Sequence, residues 1–134
     1  MRVIPSYIHG IFDYVGAIGL IAAPNVLGFA DHEAAAWVPR IVGILIFLQA
    51  IVTNYELGLI KLLPMKMHLM SDYMVAVLLA ASPWIFGFAD EQPRVWLPHV
   101  VVGITVLLVS LATETEARHR TPSATKSRGR AARA

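Results

Sequence analysis

The strongest polar signal in the chain is His-x-x-x-Asp-Tyr. It occurs at His9, Asp13 and Tyr14 and again at His68, Asp72 and Tyr73. Residues i and i+4 share a helix face, so each imidazole meets its own carboxylate one turn away. Two chemistries suit such a pair. One is a proton- or ion-handling cluster near the mouth of a helical bundle, which Glu56 and Glu116 would extend. The other is a structural lock, with His and Asp satisfying each other so that a carboxylate is tolerated in an apolar setting. The lock is the expected role. Two histidines on different helices are also the pattern of metal or haem ligation. As a pair alone they are weak evidence for it, and neither a metal nor a cofactor is expected. The chain has no cysteine, which removes thiolate metal sites, Cys nucleophiles and dithiol redox chemistry. No phosphate-binding glycine loop, zinc-helix motif or nucleophile elbow occurs, so an enzyme is not expected.

The elements that must carry these residues are long and apolar. Of 134 residues, 57% are hydrophobic and 15% are charged, where about 25% charged is usual for soluble domains. A short chain has a high surface-to-volume ratio and needs polar surface to stay in water, so the expected class is an integral membrane protein. Four apolar runs, at about 6–29, 37–55, 68–88 and 95–113, approach the ~20 residues of a spanning helix. Pro24 and Pro83 fall late in the first and third runs. Each removes a backbone donor and frees the carbonyl four residues earlier, of Leu20 and Leu79. The helix either kinks there or stops, and Ser82-Pro83 also reads as the cap of a short helix over Trp84–Phe88. Pro39 and Pro98 are expected in the first turns of the second and fourth helices. Arg40 and His99, which follow them, are expected to snorkel to headgroups beside Asp31 and Asp90. Gly16, Gly19 and the alanines of the first and third runs offer small faces for close helix packing. Arg2 and Ala22-Ala23 superficially suggest a signal peptide, but Asp13 lies inside the run and the apolar stretch continues, so cleavage is not expected.

The chain matches itself at a shift of 59, with 13 identities over the 31 pairs from His9/His68 to Pro39/Pro98. Gly28-Phe-Ala-Asp31 falls on Gly87-Phe-Ala-Asp90, and Trp37-Val-Pro39 on Trp96-Leu-Pro98. One inserted residue then aligns Gly43 with Gly103, Thr53 with Thr113 and Glu56 with Glu116. The second copy carries Ser82-Pro83-Trp84 at the end of the first helix of its pair. In that position the sequence resembles the SPW-repeat family of small bacterial membrane proteins, whose unit is two transmembrane helices bearing this tripeptide. The first copy has Ala23-Pro24-Asn25 and keeps only the proline. The resemblance implies a membrane location and supplies no biochemical activity.

Each copy holds two spans, so both enter the membrane in the same direction. The expected fold is all-α: four transmembrane helices as two tandem helical hairpins, related by a pseudo-two-fold axis along the membrane normal. Repeat 1 covers about 8–56 and repeat 2 about 67–116, within a membrane domain over 1–113. Residues 1–113 carry a net charge of −2, and residues 114–134 carry +4. The tail over 117–134 is therefore expected to be basic, disordered and cytoplasmic, touching anionic lipid rather than nucleic acid. Lys61, Lys66 and the tail against acidic outer loops are expected to place both termini in the cytoplasm, and the family resemblance implies a prokaryotic inner membrane. The four Tyr gather toward that side and the three Trp toward the other. The expected function is a structural or interaction role in the membrane, with a homo-oligomer or another membrane protein as partner. A proton-coupled transporter or channel built on the His/Asp/Tyr motif is the alternative.

Overall fold

The computed structural model describes residues 2–115. Glu116 and the tail expected over 117–134 lie outside them. The described residues form four helices, α1 (Ser6–Val26), α2 (Glu33–Val52), α3 (Met65–Ile85) and α4 (Pro93–Ala112), with two isolated bridge pairs as the only extended pairing. The fold is all-α. Helices α1, α2 and α4 are long and apolar enough to cross a membrane. α3 is less apolar, because it carries Lys66, His68, Ser71, Asp72, Tyr73 and Ser82.

The helices turn large apolar side chains outward, among them Val15, Ile18, Leu45, Leu48, Met70, Met74, Val101 and Leu108, and bury His9, Asp13, His68 and Asp72. Water would favour the reverse distribution. Packing is dense within each hairpin, α1 on α2 and α3 on α4, and sparse between hairpins. Each hairpin closes at a glycine. A Cβ on Gly43 would lie 2.7 Å from the Ala17 carbonyl, and one on Gly103 would lie 2.8 Å from the Ala76 carbonyl. These are matched positions of the two copies, and the missing side chain lets the backbones approach. Gly16 and Gly19 do not serve this purpose, since a Cβ on either would meet open space.

The helix ends resolve the proline ambiguity. α1 runs through Pro24 and α3 through Pro83, so no separate short helix forms over Trp84–Phe88. Each helix ends a few residues later at a glycine with positive φ, Gly28 at 72° and Gly87 at 76°. The next residue's N–H returns to the proline carbonyl, Phe29 to Pro24 at 2.9 Å and Phe88 to Pro83 at 2.8 Å. This is a Schellman stop, which needs the left-handed glycine. Ser82 has a specific task there. Its hydroxyl donates to the Leu79 carbonyl at 2.7 Å, the acceptor that Pro83 leaves without its helical donor. α2 and α4 begin earlier than expected, which moves Pro39 and Pro98 out of the first turn and into helix interiors.

The two hairpins are tied at the end that holds the termini and the α2–α3 loop. Val3 and Ile4 N–H groups both donate to the Ala112 carbonyl, and Leu62 and Leu63 both donate to the Val52 carbonyl. Glu114 N–H donates to the Ile4 carbonyl as Asn54 N–H does to the Leu63 carbonyl. In both sets the segment leading into one hairpin's first helix covers the carbonyl end of the other hairpin's second helix. Open carbonyls at a helix C-terminus need such partners.

Candidate functional site

The sequence places His9 and Asp13 one turn apart on α1, and His68 and Asp72 one turn apart on α3. Tertiary packing brings both pairs together in one buried quartet. His9 is 2% exposed, Asp13 7%, His68 0% and Asp72 3%. Each histidine lies near its own aspartate, His9 Nε2 to Asp13 Oδ1 at 3.2 Å and His68 Nε2 to Asp72 Oδ2 at 3.3 Å. The cross-hairpin distances are as short, with His9 Nε2 at 3.0 Å from Asp72 Oδ2 and His68 Nε2 at 3.2 Å from Asp13 Oδ2. The two imidazoles meet edge to face, 5.3 Å between centroids.

The other nitrogen of each ring fixes its tautomer. Thr53 Oγ1 donates to the Gln49 carbonyl at 2.7 Å and stands 2.6 Å from His68 Nδ1. Thr113 Oγ1 donates to the Val109 carbonyl at 2.6 Å and stands 2.8 Å from His9 Nδ1. A hydroxyl has one proton, which is committed to the carbonyl, so in each case Nδ1–H must donate to the threonine. Both Nε2 atoms are then free to face the carboxylates. His9 Nε2 is within hydrogen-bond geometry of Asp72. His68 Nε2 lies close to both carboxylates, yet makes no hydrogen bond.

The carboxylates have further donors. Tyr55 Oη donates to Asp13 Oδ2 at 3.0 Å. Ser110 Oγ donates to Asp72 Oδ2 at 3.0 Å, and Gln49 Nε2 donates to Asp72 Oδ1 at 3.2 Å. Burial pushes the Tyr55 phenol above its ordinary pKa, and the Asp13 carboxylate beside it adds to the shift, so this loop residue stays a donor. A buried carboxylate with several donors on it avoids most of its desolvation cost.

Three residues expected in the cluster stand elsewhere. Tyr14 donates to the Leu57 carbonyl at 2.9 Å, and Tyr73 to the Ser110 carbonyl at 3.4 Å. Position i+1 is turned off the face that carries the aspartate, so these hydroxyls find backbone carbonyls instead. Glu56 accepts from Ser6 Oγ at 2.8 and 3.0 Å, at the first turn of α1, where a carboxylate favours the positive end of the helix. Conversely, Gln49, Tyr55 and Ser110 join the quartet without any marker in sequence. Thr53 and Thr113 did have one, their recurrence at the same place in both copies.

At the opposite end His99 does not snorkel. It is buried, and its Nε2 donates to the Ala35 carbonyl at 2.9 Å, the acceptor that Pro39 frees on the other hairpin. Phe29 and Phe88, the residues after the two stop glycines, pack on its ring at 5.7 and 4.8 Å. Arg40, the matched residue, stays outside, donating to Asn25 at 3.0 Å and lying over the Trp37 ring at 5.3 Å. Trp84 of the tripeptide is exposed, 6.4 Å from Trp96 between centroids. Between this end and the quartet runs a cavity of about 300 Å³, lined by apolar atoms of Gly16, Gly19, Leu20, Ala23 and Val102 with His99 at its edge.

No curated protein and no solved structure matches the chain. The family pattern of the SPW repeat domain matches residues 7–113, which spans all four helices, the quartet and the Ser82-Pro83-Trp84 tripeptide. The chain therefore belongs to the SPW repeat domain family.

Proposed function

We propose that this protein is a four-span protein of the prokaryotic inner membrane, with both termini cytoplasmic, whose role is structural or interactive, and that its quartet clasps the two hairpins. The observation that carries this reading is the crossed pairing of His9 with Asp72 and His68 with Asp13 at an otherwise sparse inter-hairpin contact. Apolar helix faces gain little by meeting each other in lipid, so polar contacts and close backbone packing must hold the bundle. A tandem duplication with a pseudo-two-fold axis along the membrane normal accounts for the paired bonds at Ala112 and Val52. α3 crosses the membrane on this reading because His68, Asp72 and Ser82 are buried in the bundle interior. Basic residues at Lys61, Lys66 and in 114–134 set the orientation, and the tail adds contact with anionic lipid.

The proton-coupled transport reading has less support. It needs polar groups along the whole bundle, and the apolar cavity above the quartet does not supply them. Proteoliposomes of the purified protein should show no proton flux above empty vesicles. A flux that Asp72→Asn abolishes would overturn the structural reading. For topology, a periplasm-active reporter inserted near Ala35 should be active and one fused after Ala134 silent. The opposite pattern would reverse the orientation.

A further inference from the structure

We propose that His9, Asp13, His68 and Asp72 bind one divalent transition-metal ion of the zinc type, which joins the two hairpins from the inside. The proposal rests on the clasp reading and deepens it: the same four side chains hold the hairpins together, with an ion at their centre in place of two protons.

Geometry is the first support. One donor atom from each of the four residues lies within 4.8 Å of all the others. The four His–Asp edges measure 3.0, 3.2, 3.2 and 3.3 Å. Zinc binds imidazole nitrogen and carboxylate oxygen at about 2.0–2.2 Å in tetrahedral sites, which puts the ligand atoms of such a site roughly 3.3 Å apart. The four His–Asp contacts are therefore at the spacing of adjacent ligands in such a site, with Asp13 offering Oδ1 to His9 and Oδ2 to His68.

The tautomers are the second. A metal-bound histidine presents one nitrogen to the ion and donates its other N–H to a neighbour. Thr53 and Thr113 accept that N–H from His68 and His9, so both Nε2 atoms point inward. His68 Nε2 is the independent sign of a missing partner. It belongs to a fully buried ring and lies 3.2 and 3.3 Å from oxygens of Asp13 and Asp72, yet has no hydrogen bond. An ion at the centre would give it one.

Charge is the third. With Nδ1–H on the threonines and Nε2 facing carboxylates, the metal-free quartet is two imidazoliums against two carboxylates. A divalent cation that displaces the two Nε2 protons keeps the site neutral, as a low-dielectric interior demands. Tyr55, Ser110 and Gln49 hold carboxylate lone pairs that an ion would not use. Four protein donors complete the coordination and leave no open position, as in structural rather than catalytic zinc sites. The nitrogen and oxygen set, with no sulfur, selects against Cu(I). A cavity of about 110 Å³ lies beside His9, Asp13, Asp72 and Ser110.

The test uses the full-length protein in detergent, free of any affinity tag and stripped with a chelator. Zn²⁺, Mn²⁺, Ni²⁺ and Co²⁺ are then titrated separately. Wild type should take up one equivalent of Zn²⁺ per chain and melt at a higher temperature with it than in chelator. The Co²⁺ form should show the intense visible bands of four-coordinate cobalt. Thr53→Val, which removes only the acceptor behind His68, should weaken Zn²⁺ binding about 10–100-fold and still fold. Asp13→Asn with Asp72→Asn should abolish the uptake. Wild type that melts identically in chelator and in each metal overturns the proposal, as does stoichiometric binding that survives the double Asn variant. The clasp reading fails separately. It falls if, in chelator, His68→Gln melts at the same temperature as stripped wild type, whatever wild type does with metal.

Discussion

The two ends of the bundle treat the duplicated sequence differently. At the quartet end, matched residues keep matched tasks. His9 and His68 each face the other hairpin's aspartate and each back onto the other hairpin's threonine, and the backbone pairs at Ala112 and Val52 repeat as well. At the proline end, matched residues have parted. His99 is buried against the other hairpin, whereas Arg40 stays outside. Ser82 mends the break that Pro83 makes, whereas Ala23 has no hydroxyl with which to do so. The physical lesson concerns tolerance. A quartet of ionisable groups in an apolar interior leaves a costly orphan if any member is lost. A freed helix carbonyl near the end of a span can find other partners, so its neighbours are free to differ.

The largest effect should come from the quartet. Asp72→Leu strips His9, His68, Ser110 and Gln49 of a shared acceptor and should cost about 3–5 kcal/mol, as breaking a buried ion pair does. Asp72→Asn keeps hydrogen-bonding capacity and should cost less. Thermal or denaturant unfolding in detergent measures both. Equal losses in the two variants would mean that volume, not polarity, matters at this position.

At the proline end, His99→Leu should leave the Ala35 carbonyl buried without its side-chain donor and cost about 1–3 kcal/mol. Arg40→Ala, at the matched but exposed site, should stay within about 0.5 kcal/mol. Similar losses at the two positions would erase the asymmetry between the copies. Ser82→Ala should cost about 1 kcal/mol, for one intramolecular hydrogen bond. Ala23→Ser, which offers the first copy the same repair at Leu20, should be neutral or stabilising. A loss there would show that the first copy's helix end has settled on another solution.

Much of the fold was legible from period and composition. Apolar run lengths located four helices, and the shift of 59 paired them into hairpins, because helix formation and self-similarity are both local to sequence. The i, i+4 spacing put each histidine beside its aspartate before any tertiary contact was known. Helix boundaries were less legible. Apolar run and helix differ wherever a stop glycine or a loop residue is itself apolar, as at Leu27, Phe29, Phe86 and Phe88. Pro39 and Pro98 read as starting residues because a proline is cheapest there. In the folded chain the helices start earlier, and a buried histidine from the other hairpin accepts the task of satisfying one freed carbonyl.

What the sequence determined alone was the pairing of His9 with Asp13 and His68 with Asp72, the apolar exterior and the two-fold repetition. What only tertiary structure decided was the joining of the two pairs into one quartet, the choice of Tyr55, Ser110 and Gln49 as its donors, and the exclusion of Tyr14, Tyr73 and Glu56 from it. The reason is geometric. Neighbours on one helix face are fixed by 3.6 residues per turn, but which faces of two separate hairpins meet depends on where their backbones can approach. Here that is set by the crossed covering of two helix ends and the crossed His–Asp pairing, while Gly43 against Ala17 and Gly103 against Ala76 set only how closely each hairpin's own helices pack.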